Sequence, residues 1–226
     1  MRIIKKCPTC NKIAETNDEM QLGDLIIRTY KCGHTDMLTG IEASTDDTLN
    51  ITSLDGKRPF KYQLEGGRFI ETANGCALVA DEMALGKTVQ ALMFVAAHPE
   101  ARPFMAFVKS GLRVQWNKES VRWGDFMVQT LDEGSNAYFL PGMDGYIVSV
   151  DSAWRIGMRS KKHRAAPGDD RGSITYEPIP GKTLPDMVTK LGIKTIIIDE
   201  CQMIKNPESK RTKAIQTVCG LVDHKI

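Results

Sequence analysis

The sequence predicts an α/β fold, with a central, mainly parallel sheet built around a phosphate-binding turn and a small separate module ahead of it. Three observations point there. An apolar run, Cys76–Ala80, leads through a turn ending in Gly86-Lys87-Thr88 into a segment with Val89, Leu92, Met93 and Val95 at helical spacing. A second apolar run, Thr195–Ile198, ends in the paired carboxylates Asp199 and Glu200. Near the N-terminus, Cys7-Pro8-Thr9-Cys10 is followed by Cys32-Gly33-His34, the spacing of a metal-ligand set.

With 226 residues the chain has room for one large domain or a domain plus a module. A hydrophobic fraction of 42% with 26% charged residues is that of an ordinary water-soluble fold. No apolar run reaches the length of a membrane span and Met1–Lys6 lacks a signal-peptide core, so the expectation is a soluble intracellular protein, cytoplasmic or nuclear, with no membrane partner. A formal net charge of +2 does not by itself imply nucleic acid; such affinity must come from local patches.

In chain order, residues 1–40 read as a zinc-ribbon-like module. Cys7 and Cys10 offer two thiolates on one turn, Cys32 and His34 offer a second pair, and Leu25–Tyr30 reads as the strand between them. A stretch this short has too little core to fold unaided, which favours Zn²⁺ over a redox pair or free thiols. Residues 41–57, rich in Ser, Thr and Asp, read as a linker with room for one short strand.

The second domain is expected over 58–226. Pro59 suits the first turn of a helix, with Tyr62, Phe69 and Ile70 available for its apolar face. The turn at 81–88 then supplies the phosphate site. Unpaired N–H groups and the helix dipole favour an anion there, Lys87 brings a full charge to the β- and γ-phosphates, and the Thr88 hydroxyl suits Mg²⁺. Taken alone, G-K-T also occurs in plain surface turns. Phe104–Val108 reads as a buried strand after Pro103, with Lys109 and Ser110 at its carboxyl end, where open α/β sheets bind ligands. A helix bearing Trp116 and Trp123 follows, both expected in the core, and then a strand over Tyr146–Asp151. Residues 155–185 show no apolar period and read as a mobile insertion. It holds a basic run, Arg159 to Arg164, that suits either a solvated face or a nucleic-acid phosphate contact. Asp199 and Glu200 lie roughly 110 residues beyond Lys87, where a nucleotide hydrolase needs a metal anchor and a residue that orients the attacking water.

The string D-E-M-A-L-G-K-T over 81–88 resembles the D-E-M-G-L-G-K-T of Swi/Snf-type ATPases in helicase superfamily 2. D-E-C-Q-M-I-K-N over 199–206 is similar to that family's D-E-A-H-x-I-K-N. The resemblance covers about 58–226. It implies a RecA-like first lobe of a double-stranded-DNA translocase that uses ATP and Mg²⁺, with Ala84, Leu85, Gly86, Lys87 and Thr88 in the loop and Gln63 reading adenine. It also implies Lys109, Ser110 and Ser149 in backbone-contacting loops, to which the basic run adds Lys161, Lys162 and Arg164. A second RecA-like lobe would bring arginine fingers, and Ile226 falls just before the strand where the family's next motif would start. Two departures stand out: Ala84 replaces a glycine, at a cost on the order of 1–2 kcal/mol if the backbone there is left-handed, and Gln202 replaces a coupling histidine. A nucleic-acid-binding zinc ribbon with a structural or inactive ATP site is the alternative. A small kinase or GTPase is disfavoured, since no N-K-x-D string occurs.

Overall fold

The computed structural model describes residues 4–6, 13–22, 25–30, 35–39, 49, 51–82, 85–131, 137–163 and 173–226, with the backbone alone for the four N-terminal strands. The chain divides into two compact units, Met1–Asp47 and Thr48–Ile226.

The first unit is an antiparallel sheet of four strands in sequence order: β1 (Ile4–Lys6), β2 (Ile13–Leu22), β3 (Leu25–Tyr30) and β4 (Thr35–Thr39). The strand expected at Leu25–Tyr30 is β3. Cys7, Cys10, Cys32 and His34 lie outside the described residues.

The second unit begins at Thr48, ahead of Arg58. Leu49 and Ser53, which the sequence places in the linker, are buried here, and the Ser53 hydroxyl closes a turn by accepting from the Lys57 N–H. After this turn come α1 (Lys61–Thr72) and α2 (Lys87–Ala97). The buried positions of α1 are Gln63, Gly67 and Ile70, spaced by one helical turn each, whereas Tyr62 and Phe69 face solvent, contrary to expectation. Gly66 and Gly67 allow α2 to approach closely. A Cβ at Gly67 would sit 3.2 Å from both Leu49 Cδ1 and Met93 Cε.

β5 (Phe104–Val108), α3 (Arg113–Gly124), β6 (Val128–Thr130) and β7 (Gly145–Ser149) follow, the last somewhat shorter than the strand expected at Tyr146–Asp151. Residues 155–185 are not structureless. They hold the antiparallel hairpin β8 (Met158–His163) and β9 (Ser173–Pro178) and the start of α4 (Leu184–Leu191). The hairpin escapes a hydrophobicity pattern because nearly all its side chains are exposed. The start of α4 is written in its caps instead: the Thr183 side chain accepts from the Asp186 N–H, Asp186 accepts from the Thr183 N–H, and Gly192 ends the helix in left-handed backbone. β10 (Thr195–Ile198), α5 (Lys210–Cys219) and β11 (His224–Lys225) complete the unit.

The sheet is parallel throughout, in the order β11-β10-β5-β7-β6. Alternation along β5 sends Phe104, Ala106 and Val108 to one face, against α1, α2 and α3. Met105 and Phe107 go to the other, with side chains of α4 and α5. Both faces are covered, which explains the uninterrupted apolar strands. Two expectations change at the sheet's edge. The last residues already enter the sheet, as Ile226 N–H donates to the Ile196 carbonyl and Ile198 N–H to the Ile226 carbonyl. The run Cys76–Ala80 is not a buried strand: it makes one bridge, Cys76 to Lys225, and Leu78 is 67% exposed. Its neighbour β11 spans two residues, so 78–80 find no ladder partner among the described residues.

Candidate functional site

The phosphate turn closes at Gly86, whose φ of 76° is left-handed backbone open to glycine at little cost. A Cβ there would also lie 2.2 Å from Gln63 Nε2, so the site admits glycine on two grounds. Directly after it α2 starts at Lys87, leaving the helix N-terminus facing the turn. The Lys87 ammonium donates to the carbonyls of Asp81 at 2.9 Å and Glu82 at 3.0 Å. Lysine thus satisfies the loop's own backbone, a role that phosphate oxygens can compete for with full negative charge.

Two buried amides brace the turn. Gln63 accepts from the Phe60 N–H at 3.0 Å and donates to the Leu85 carbonyl at 3.2 Å, tying the start of α1 to the loop. Gln90, fully buried on α2, donates to Asp81 Oδ2 at 2.7 Å. Its Oε1 has no hydrogen-bond partner among the described residues and abuts Gly66, where a Cβ would come within 2.0 Å. Sequence reasoning passed over Gln90; the available signal was an amide amid the apolar side chains of α2.

On the other side, Asp199 and Glu200 stand at the carboxyl end of β10. The Asp199 N–H is fixed by the Phe107 carbonyl at 3.0 Å, and its Oδ2 accepts from Trp116 Nε1 at 3.0 Å. Trp116 is buried, as expected, yet it also orients a site carboxylate, which the sequence did not suggest. Glu200 adopts φ 61°, ψ 60°, a left-handed conformation costing a non-glycine residue about 1–3 kcal/mol. Its carboxylate accepts from Gln202 Nε2, so the residue in the histidine's place holds the acid beside Asp199.

Lys87, Thr88, Asp199 and Glu200 all line one cavity of about 530 Å³, together with Ala77–Asp81, Trp116 and Gln202. That volume lies in the range of small-ligand sites. The donor set suits Mg²⁺ with a nucleotide: hard oxygens from a hydroxyl and a carboxylate, and one cation for the phosphates. Ala84 lies outside the described residues, and Leu85 is partly exposed beside Gly86.

Of the residues expected to face nucleic acid, Lys109 and Ser110 are exposed at the end of β5. Ser149 is a correction. It is buried at the end of β7, and its hydroxyl meets that of Ser110 at 2.6 Å, so it braces Ser110 and does not reach the surface. Lys161 and Lys162 are exposed on β8, and Arg164 is outside the described residues.

The profile of the SNF2-related domain matches residues 30–224. The chain belongs to the SNF2-related domain family. This SNF2-related chain is 27% identical over 154 residues to the human DNA annealing helicase and endonuclease ZRANB3, covering 68% of the chain and 12% of that protein. It is 25% identical to the uncharacterized ATP-dependent helicase YqhH of Bacillus subtilis, covering 79% and 29%. It is also 25% identical to the DNA excision repair protein CSB of rice, Oryza sativa subsp. japonica, covering 96% and 21%. The chain therefore spans less than a third of each of these relatives. Among solved structures it is similar to the Sulfolobus solfataricus SWI2/SNF2 ATPase core in complex with dsDNA, with a TM-score of 0.53 and 20% identity over 78% of this chain and 32% of that one. That likeness shows the fold of the lobe, an α/β unit with a central parallel sheet. Among the described residues no helix is long and apolar enough to cross a membrane.

Proposed function

We propose that residues 48–226 are the ATP-binding lobe of a DNA-dependent ATPase and translocase, hydrolysing ATP when a second RecA-like lobe, in cis or in trans, completes it. The observation that carries this reading is the meeting of Lys87 and Thr88 with Asp199 and Glu200 on one cavity. In this reading Lys87 exchanges two loop carbonyls for the β- and γ-phosphates. Thr88 and Asp199 hold Mg²⁺, which when bound neutralises phosphate charge, and Trp116 keeps the Asp199 carboxylate aimed. Glu200, held by Gln202, orients the attacking water. Gln63 would read adenine with the N–H and lone pair left beyond its two backbone bonds, once turned from its buried position towards the cavity, which it does not line here. Duplex DNA is supported by similarity to a DNA annealing helicase and a DNA excision repair protein, by the dsDNA held in the similar solved structure, and by exposed Lys109 and Ser110. The protein then works in the cytoplasm or nucleus.

The test is Mg-ATP binding and turnover by the purified chain, with and without duplex DNA. Binding that fails in Lys87→Ala is expected, with very slow turnover until a second lobe is added, since an arginine finger contributes about 10³–10⁵ in rate. Absence of nucleotide binding contradicts the reading; brisk DNA-stimulated hydrolysis by this chain alone contradicts the need for a second lobe.

A second reading, a zinc-ribbon module whose ATP site is structural, is favoured by Lys87 being already engaged by loop carbonyls. For the N-terminal unit we propose one Zn²⁺ held by Cys7, Cys10, Cys32 and His34. In sequence these fall in the β1–β2 and β3–β4 connections. The pairings Lys6↔Ile13, Thr16↔Tyr30 and Thr29↔Thr35 bring the strand ends flanking both connections to the same end of the sheet. Metal analysis should find zinc near one per chain, lost in Cys7→Ser/Cys10→Ser.

A further inference from the structure

The β8–β9 hairpin carries more order than its composition suggests. It pairs from Met158↔Pro178 to His163↔Ser173 without a break. Since successive side chains alternate between faces, Arg159, Lys161 and His163 share one face with Glu177, Thr175 and Ser173. Lys162 belongs to the other face, with Met158, Ser160, Ile174, Tyr176 and Pro178. The adjacent lysines of the basic run therefore point in opposite directions.

The second of these faces is the one fastened to the lobe. Tyr176 meets Trp154 edge-on at 4.8 Å between ring centroids, and Lys210, at the start of α5, places its ammonium 4.8 Å from the Trp154 ring and 5.8 Å from Tyr176. With that face held to the lobe at Tyr176, Arg159, Lys161 and His163 point the other way and are exposed, as are Lys162 and Ile174 on the opposite face beyond the anchor. His163 Nε2 lies 2.8 Å from Thr175 Oγ1 on the outer face, in keeping with the register. Glu177 is the single acid among the described residues of this face, and no ion pair to Arg159 or Lys161 is formed among the described residues. Side chains two apart on a strand are separated by roughly 6.8 Å, close to the spacing of successive phosphates along one nucleic-acid strand. The hairpin also follows β7 in the chain, and β7 ends beside β5, whose carboxyl end presents Lys109 and Ser110.

We infer that the outer face of this hairpin is a docking strip for the phosphate backbone of duplex DNA, with Arg159 and Lys161 each taking one phosphate and Lys162 taking none. The occupant follows from charge complementarity and spacing, and the inference rests on the DNA-binding reading above. The strip carries no base-reading geometry, so it adds affinity and salt dependence without sequence preference.

The experiment is a salt titration of duplex DNA binding by the full chain, followed by fluorescence anisotropy, for wild type, Arg159→Ala/Lys161→Ala, Lys162→Ala and the charge-keeping Arg159→Lys/Lys161→Arg. The double alanine variant should lower the slope of log affinity against log salt by about 1.8, and its deficit relative to wild type should shrink about tenfold between about 50 and about 200 mM salt. Lys162→Ala and the charge-keeping variant should retain the wild-type slope. An unchanged slope in the double alanine variant, while wild type still binds DNA, overturns the strip and leaves the DNA-binding reading standing. A loss in Lys162→Ala equal to that of the double variant overturns the assignment of faces. Strip-dependent binding to duplex RNA but not DNA overturns the choice of polymer, and failure of wild type to bind any duplex overturns the strip together with the reading it rests on.

Discussion

The two walls of the proposed nucleotide cavity are built from similar sequence by different means. Thr195–Ile198 and Cys76–Ala80 are both short apolar runs ending in acidic residues. The first is a strand paired on both sides, to β5 and β11, with Thr195 and Ile196 fully buried and the Asp199 N–H tied into the neighbouring strand. The second makes one bridge and leaves Leu78 in solvent. Its turn is held by side chains, Gln63 to Leu85, Gln90 to Asp81 and Lys87 to two carbonyls. Hydropathy alone does not separate them; the number of available neighbours does. One wall is rigid through the sheet, and the other is set by three removable side chains.

The largest contrast should appear in stability. Ile196→Ala empties a fully buried position between sheet and helices and should cost about 2–5 kcal/mol, whereas Leu78→Ala should stay within about 0.5 kcal/mol. Equal losses in urea unfolding would mean that Cys76–Ala80 packs as a strand after all. Next, Gly86→Ala forces left-handed backbone on alanine and drives its Cβ into Gln63. A loss of about 1–2 kcal/mol from the backbone alone, with weakened nucleotide binding, is expected in calorimetry.

A smaller effect isolates one of the side-chain braces. Gln90→Leu keeps the volume but removes the bond to Asp81, and should weaken ATP binding roughly threefold to tenfold, matching about 0.5–1.5 kcal/mol for one hydrogen bond. The midpoint of unfolding should move little, because a buried Oε1 with no partner among the described residues is removed at the same time.

Smallest is a pH effect away from the cavity, where the Arg122 guanidinium, with the Ser53 hydroxyl, holds the Asp55 carboxyl well below the usual carboxylate range. A carboxyl with a depressed folded-state value contributes stability that is present above its unfolded value, about 3.9, and lost as pH falls below it towards the folded value. Asp55→Asn should therefore narrow the difference between neutral and acid stability, read as unfolding midpoints across that window. An identical pH profile in the variant would remove the pair from the account.

Much of this was legible in the sequence where local pattern and neighbours agree. Phe104–Val108 and Thr195–Ile198 are flanked on both sides in the sheet, so their apolar runs appear as buried strands. The G-K-T turn and the Asp-Glu pair were legible as motifs and do line one cavity, although only the Asp-Glu pair sits at the end of a strand. What escaped depends on partners far away in the chain. Ser149 looked like a surface group until Ser110 was seen across the strand ends, and Trp116 looked like plain core until Asp199 met its indole. The β8–β9 hairpin lacked an apolar stripe because both its faces are largely exposed, and its order comes from pairing and from Tyr176 against Trp154.

If the braced turn and the sheet-bound carboxylates act as one Mg-nucleotide site, Lys87 and Asp199 must be energetically coupled. A double-mutant cycle of Lys87→Ala and Asp199→Asn, read by calorimetric titration with Mg-ATP, tests it most directly. Strong weakening by each single change is expected, with a double variant hardly worse than either, an interaction energy above about 1 kcal/mol. Additive losses, or an Asp199→Asn variant that binds Mg-ATP like the wild type, would contradict it.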